Sequence, residues 1–154
     1  MFTINVCHES TNLFIHPQPN NAATDDFDWL RNNGQTATGG TGPSFDHTFG
    51  TAAGFYAYTD ATNQATGNEA FLMSETFAWN TKMCLTFWYH MYGDHIGTLG
   101  VYMQTTVLSP LYWEKLWEME ANRGDYWFNA NVEAHSQTSV FEVCGYCVGI
   151  PILT

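Results

Sequence analysis

The segment Cys84–Met103 (CLTFWYHMYGDHIGTLGVYM) decides the fold of this chain. Its first part, Cys84–Met91, is rich in aromatic residues, which favour the half-buried, pleated surface of a β-strand. The turn Gly93–Gly97 follows, and Thr98–Met103 is a second short apolar run. Two such runs around a turn of this length predict a buried antiparallel β-hairpin at the centre of the fold.

Further strand candidates lie on both sides of this hairpin. They are short and bounded by turns, and they cover residues 26–31, 54–60, 70–73, 127–133 and 139–143. Residues 32–44 and 61–67 are loops, because Gly, Thr and Asn dominate them. Short strands separated by turns predict one all-β domain, an antiparallel two-sheet β-sandwich.

The segment Tyr112–Met119 is ambiguous by its periodicity. The pairs Tyr112/Leu116 and Trp113/Trp117 have the i, i+4 spacing of a helix, and Glu and Lys are good helix formers. The neighbouring segments are short strands and turns, which favour a strand. The residues alone therefore leave helix and strand open here.

The charge of the chain excludes several classes of partner. With 15 acidic and 4 basic residues, the net charge is −11. Such a surface repels phosphate backbones and anionic lipid headgroups, so we expect neither nucleic acid nor a membrane surface as a partner. No apolar run reaches the ~20 residues of a transmembrane helix, so direct membrane insertion is not predicted. No signal peptide is visible in residues 1–17.

The order of motifs along residues 25–143 resembles the MAM domain of meprins, neuropilins and receptor tyrosine phosphatases of the mu type. The motifs are long, and they occur in the family's order. They are DDFDW at 25–29, GPSFDHT at 42–48, GFYAYTDA at 54–61, CLTFWYHMYG at 84–93, GTLGVY at 97–102, GDYW at 124–127 and VFE at 140–142.

This resemblance implies a jelly-roll-like, concanavalin-like sandwich with a strand at Tyr112–Met119. It also implies a non-catalytic recognition or adhesion module, extracellular or at the cell surface, that binds a protein homophilically or heterophilically. We expect recognition to lie in the loops, because the best-identified segment is core. Carbohydrate binding is the main alternative, since exposed aromatic residues can stack on sugars, and the candidates are Tyr56, Tyr58, Trp113 and Trp117.

Both ends of the chain depart from the family pattern. Residues 1–24 are predicted to form a divergent lead-in, because the family's opening cysteine pair is not present in its usual form. Residues 144–154 (CGYCVGIPILT) are predicted to be an atypical tail that replaces the family's last strand. We therefore expect a domain that is truncated or altered by splicing at its ends.

The four cysteines leave two disulfides, one disulfide or none open. The spacing Cys144-Gly145-Tyr146-Cys147 is that of redox motifs, but it follows a strand instead of opening a helix, so redox chemistry is not predicted. The resemblance implies that Cys84 pairs with Cys144 or Cys147, because the family's cysteine at this strand pairs with one near the C-terminus.

Three glutamates raise the question of catalysis. On a strand, Glu118 and Glu120 would project from one face roughly 6–7 Å apart, which is within the range of a glycosidase acid/base pair. Glu114 lies on the same segment. Alternating glutamates are more often a solvated strand face, so a glycosidase is the less favoured alternative and the chain is predicted not to be an enzyme.

Two further groups are candidate binding residues. The carboxylates of Asp26, Asp28, Asp46 and Asp60 are oxygen ligands of the kind that Ca²⁺ prefers, but they lack EF-hand spacing. No cofactor is predicted, and Ca²⁺ is kept as a candidate ligand. Arg123-Gly124-Asp125 spells an integrin-binding tripeptide. The resemblance implies that Gly124 and Asp125 belong to a turn before the strand at Trp127, where Gly supplies the backbone conformation, and that Arg123 completes the tripeptide by chance.

Overall fold

The computed structural model describes residues 2–6, 25–105 and 112–148. Within these ranges the chain forms nine strands and no helix. The strands are β1 (Phe2–Val6), β2 (Trp29–Asn32), β3 (Tyr56–Thr59), β4 (Glu69–Met73), β5 (Lys82–His90), β6 (Thr98–Thr105), β7 (Tyr112–Glu120), β8 (Trp127–His135) and β9 (Phe141–Val148).

The strands form two antiparallel sheets. The five-stranded sheet has the order β2-β3-β1-β5-β8, and the four-stranded sheet has the order β4-β9-β6-β7. One core cluster contains buried residues from both sheets, so the sheets pack face to face. The predicted all-β sandwich is confirmed.

The hairpin prediction for Cys84–Met103 is wrong in its pairing, although both strands are present. β5 pairs with β1 and β8, whereas β6 pairs with β7 and β9. The turn between them therefore crosses from one sheet to the other. Because stacked sheets lie about 10 Å apart, this crossing buries Phe87 of β5 and Val101 of β6 in the same core. Pairing the two strands side by side would not place their apolar faces against each other.

The alternation of β5 separates a core face from an outer face. Phe87 and Tyr89 are buried in the core cluster, while Thr86 and Trp88 are half-buried on the opposite side. A strand presents successive side chains to opposite faces, so Trp88 and His90 lie on the outer face of the five-stranded sheet. This outer face supports the candidate site.

Two strands include residues of the end segments that the sequence analysis set apart. β1 lies within the predicted lead-in and is inserted between β3 and β5. β9 continues through residues 144–148 of the predicted tail and lies between β4 and β6. Residues 7–24, with Cys7, and residues 149–154 are outside the described residues. The strand at Tyr112–Met119 is confirmed as part of β7.

Candidate functional site

The long connection between β2 and β3 folds over the outer face of the five-stranded sheet. The His47 ring stacks on Trp88, with 3.5 Å between the ring centroids and 12° between the planes. The indole Nε1 of Trp127 donates a hydrogen bond of 3.1 Å to the carbonyl oxygen of Phe45. The connection is therefore attached to β5 and β8 at two places.

A buried carboxylate organises the same connection. Asp46 is 3% exposed, and its Oδ2 accepts a hydrogen bond of 2.8 Å from the backbone N–H of Phe49. Gly54 lies so close to this carboxyl group that a Cβ at position 54 would overlap it. The buried Asp46 thus fixes the course of the chain from residue 46 to residue 54.

On this base the chain exposes a set of large aromatic side chains. Phe49 is 69% exposed and Tyr126 is 71% exposed. Phe45 and Phe55 are also exposed, and the guanidinium of Arg31 lies 3.8 Å from the centroid of the Phe55 ring. We refer to Phe45, Phe49, Phe55 and Tyr126 as the aromatic loop surface. Exposed rings on a well-anchored base are typical of protein-binding surfaces.

The tripeptide Arg123-Gly124-Asp125 lies next to this surface. Nε2 of His90 donates to Oδ1 of Asp125 over 3.1 Å, and the side chain of Asp125 remains 59% exposed. The backbone N–H of Arg123 donates to the carbonyl of Met91, and Gly124 has a φ of 93°. The tripeptide is therefore a turn held by β5, and integrin binding stays a hypothesis.

His90 contributes a buried titratable group to this turn. Burial of its ring lowers the pKa of His90 below its usual value, and the hydrogen bond with Asp125 acts in the opposite direction. The ring also makes an edge contact with Trp127 at 5.4 Å. His90 is thus a packing residue that orients Asp125.

The four candidate Ca²⁺ ligands lie in different local structures. Oδ2 of Asp26 accepts the N–H of Glu69, and Oδ1 of Asp60 accepts the N–H of Thr62. In the part of the chain that is described, no three His, Cys, Asp or Glu residues form a group that could hold a metal ion. A Ca²⁺ site that uses Asp26, Asp28, Asp46 and Asp60 stays a hypothesis.

Of the three candidate glutamates of β7, Glu118 is the one with side-chain hydrogen bonds in the described part of the chain. Glu118 accepts a 2.7 Å hydrogen bond from the hydroxyl of Tyr102 and a 3.0 Å hydrogen bond from Nζ of Lys115. The Tyr102 and Lys115 hydrogen bonds lower the pKa of Glu118, while burial and Glu118 raise the pKa of Tyr102 to about 12. A carboxylate with a lowered pKa is a poor general acid, and Glu114 and Glu120 are exposed on the same strand.

The aromatic residues considered for sugar stacking are divided between the two sheets, with Tyr56 and Tyr58 in β3 and Trp113 and Trp117 in β7. Tyr56 is buried, and its hydroxyl donates to the carbonyl of Gly34. Trp117 packs against the core, with its ring 5.2 Å from that of Phe87. The Trp113 ring stacks on Phe71, 5.9 Å away between centroids.

Residues 18–145 match the family model described as "MAM domain, meprin/A5/mu". This chain belongs to the MAM family. The resemblance carried by the sequence motifs is therefore confirmed.

Several MAM-domain proteins are similar to the chain. Human MAM domain-containing glycosylphosphatidylinositol anchor protein 2 is 37% identical over 134 residues, which cover 75% of this chain and 13% of that protein. Mouse MAM domain-containing protein 2 is 39% identical over 106 residues, 68% of this chain and 15% of that protein. Neuropilin-1 of Xenopus laevis is 36% identical over 104 residues, 67% of this chain and 11% of that protein. The MAM chain thus spans only a small part of each relative.

Among the described residues of this MAM domain, no helix is long and apolar enough to cross a membrane.

The cysteines of the predicted disulfide lie in different sheets of the MAM domain. Cys84 belongs to β5 of the five-stranded sheet, and Cys144 and Cys147 belong to β9 of the four-stranded sheet. Cys144 is buried, and its thiol donates to the carbonyl of Gly145 over 3.4 Å. The pairing of Cys84 with Cys144 or Cys147 is implied by the resemblance and is not tested by the structure, and the positions of β5 and β9 in different sheets do not favour the pairing with Cys144.

The aromatic loop surface is the feature that the sequence analysis did not single out. No strand periodicity marks Phe45, Phe49 or Tyr126, because all three lie between strands. The signal in the sequence is the occurrence of large aromatic residues in segments between strands, where strand alternation does not bury them. The expectation that recognition lies in the loops stays a prediction.

Proposed function

We propose that this MAM domain is a non-catalytic recognition module that binds a protein partner through the aromatic loop surface. The observation that carries the proposal is the exposure of Phe49 and Tyr126, 69% and 71%, on a base fixed by Asp46 and by the contacts of His47 and Trp127. Aromatic residues dominate the binding energy of protein interfaces when they are held in place before binding.

The proposed location is outside the cell, in a cell-surface or secreted protein. Family membership supports this location, as does the name of the human relative, which includes a glycosylphosphatidylinositol anchor. The engaged carboxylate of Glu118 supports a role without catalysis, because it accepts hydrogen bonds from Tyr102 and Lys115.

Binding by the aromatic loop surface can be tested with Phe49→Ser/Tyr126→Ser. Beads coated with the domain report homophilic binding, and adhesion to a panel of cell lines reports heterophilic binding. The wild type is expected to bind in one of these two assays. In that assay we expect the double variant to bind about tenfold or more weakly, because removal of two interface anchors costs more than about 1.4 kcal/mol of binding free energy.

The control variant is Trp79→Ser. Trp79 is 62% exposed, but it lies in the connection between β4 and β5, away from the aromatic loop surface. We expect it to bind as the wild type does, with both variants melting near the wild-type temperature. Equal binding by all three proteins would refute the role of the aromatic loop surface.

A further inference from the structure

A cavity of about 500 Å³ opens at one end of the sandwich. It lies where the loop after β3 and the turn between β5 and β6 meet the segment Thr36–Gly42. A volume of this size is typical of sites that enclose a small ligand or a side chain of a partner.

The wall of the cavity is fixed by hydrogen bonds. The hydroxyl of Thr41 and the backbone N–H of Gly42 both donate to the carbonyl of Tyr92, over 2.8 and 3.1 Å. The hydroxyl of Thr36 donates to the carbonyl of Thr41 over 2.7 Å. Gly93 has a φ of 134°, and a Cβ there would lie 2.6 Å from Oγ1 of Thr41. The glycine-rich segment is therefore folded tightly against the turn.

The charges around the cavity have one sign. Asp60 and Asp94 are among its lining residues, and so are His90 and His95, which are counted as neutral at pH 7. None of the described residues that line it is a lysine or an arginine. The whole chain carries a net charge of −11. Two carboxylates without a compensating cation attract a positive group and repel phosphate, sulfate or carboxylate ligands.

Other lining groups are suited to the apolar methylene stem and to the cationic head of a long basic side chain. Tyr58 and Tyr92 line the cavity, and aromatic rings can contact both the methylene stem and the cationic head of such a side chain. Thr36 and Thr38 add hydroxyl oxygens that can accept hydrogen bonds. A guanidinium or ammonium group donates hydrogen bonds and accepts none, so it fits carboxylates and hydroxyl oxygens together.

We propose that this cavity receives a lysine or arginine side chain of the partner protein. The inference rests on the proposed function and specifies the chemistry of the partner. The cavity adjoins the aromatic loop surface along the chain, since Gly42 lines the cavity and Phe45 belongs to that surface. The N–H of Arg123 donates to the carbonyl of the lining residue Met91, which attaches the loop before Tyr126 to the same wall.

The test is an NMR titration of the isotope-labelled domain at low salt. The probes are N-acetyl-arginine amide, its neutral isostere N-acetyl-citrulline amide, and methyl glucoside. We expect the arginine probe to shift the amide signals of residues 36–42 and 92–97. The citrulline probe should bind about tenfold more weakly, because it lacks the charge that the two carboxylates attract.

The variant Asp60→Asn/Asp94→Asn should weaken binding of the arginine probe about tenfold. Asparagine at position 60 keeps the side-chain oxygen that accepts the N–H of Thr62, so the loop is preserved. The control Glu75→Gln/Glu133→Gln removes the same charge from exposed positions near the other end of β5 and should bind normally. Equal binding of the arginine probe by both double variants would overturn the proposal, as would equal or tighter binding of citrulline or glucoside.

The outcomes separate the cavity from the proposed function. If the arginine probe leaves the cavity signals unchanged while adhesion still depends on Phe49 and Tyr126, the inference about the cavity is wrong and the proposed function stands. If adhesion is independent of Phe49 and Tyr126, the aromatic loop surface is not the binding site, whatever the probe does.

Discussion

Gly54 is required by a steric contact instead of by an unusual backbone angle. Its φ is outside the left-handed region, yet a Cβ at this position would overlap the carboxyl group of Asp46. Asp46 is buried and accepts the N–H of Phe49, so it cannot move into solvent without loss of that hydrogen bond. The position of the exposed Phe49 therefore depends on a residue that has no side chain.

We expect Gly54→Ala to destabilise the domain by about 1–3 kcal/mol, the usual cost of overpacking a filled site. The matched control is Gly39→Ala, because no atom lies within 4 Å of a Cβ at Gly39 and its φ is ordinary. The control should stay within about 0.5 kcal/mol of the wild type. Thermal and denaturant unfolding measure both, and equal stability of the two variants would contradict the proposed packing of Asp46.

Cys84 and Cys144 lie in different sheets of the sandwich, because the chain crosses from one sheet to the other between β5 and β6. In β5, Cys84 alternates with the core residues Met83 and Leu85, so its side chain lies on the outer face. In β9, Cys144 follows the core residue Val143 and is the register partner of Tyr102. Because successive side chains point to opposite faces, Cys144 lies on the outer face of the other sheet. Side chains on the outer faces of opposite sheets are separated by the whole core.

A disulfide needs Cβ atoms within about 3.5–4.5 Å of each other, so this arrangement does not favour a bond between Cys84 and Cys144. We expect peptide mapping of the non-reduced, alkylated protein to yield no peptide that links these two cysteines. Mapping of the Cys84→Ser variant is the control, because it should leave the state of Cys144 unchanged. Detection of the Cys84–Cys144 link would show that the sheets are arranged differently near β9.

The stability of the whole domain should depend on pH through His90. Burial lowers the pKa of His90 below the value near 6.5 that it has in the unfolded chain. As the pH falls through 6.5, the unfolded state takes up a proton that the folded state does not, so the free energy of unfolding decreases. The contribution is complete above pH 6.5 and is lost progressively down to the lowered folded pKa.

Denaturant unfolding of the wild type and of His90→Gln between pH 5 and 8 tests this linkage. Glutamine keeps a donor for Asp125 but does not titrate, so the variant should lose less stability on acidification. The two proteins share all other histidines. The difference between the pH dependences of their free energies of unfolding therefore measures the contribution of His90. Parallel pH profiles would contradict the linkage.

The sequence by itself determined the all-β class, the MAM family and most of the strands between residues 26 and 143, because alternation and long motifs are local properties of the chain. It did not mark β1 or the end of β9 as strands. Phe87 and Trp88, for example, are predicted to lie on opposite faces of the sheet because they are neighbours in one strand. The same local pattern could not fix the pairing of Cys84–Met91 with Thr98–Met103, since a turn of this length can either pair two strands or cross between two sheets.

Only the tertiary structure decided that pairing, because the choice depends on β1, β8 and β9, which lie far from the hairpin segment in sequence, as well as on β7. The same reason applies to the candidate site. Asp46 meets Gly54, and His90 meets Asp125, through contacts between separate loops and strands. The exposure of Phe49 and Tyr126 follows from those contacts. Their large aromatic side chains alone would predict that both residues are buried in the core.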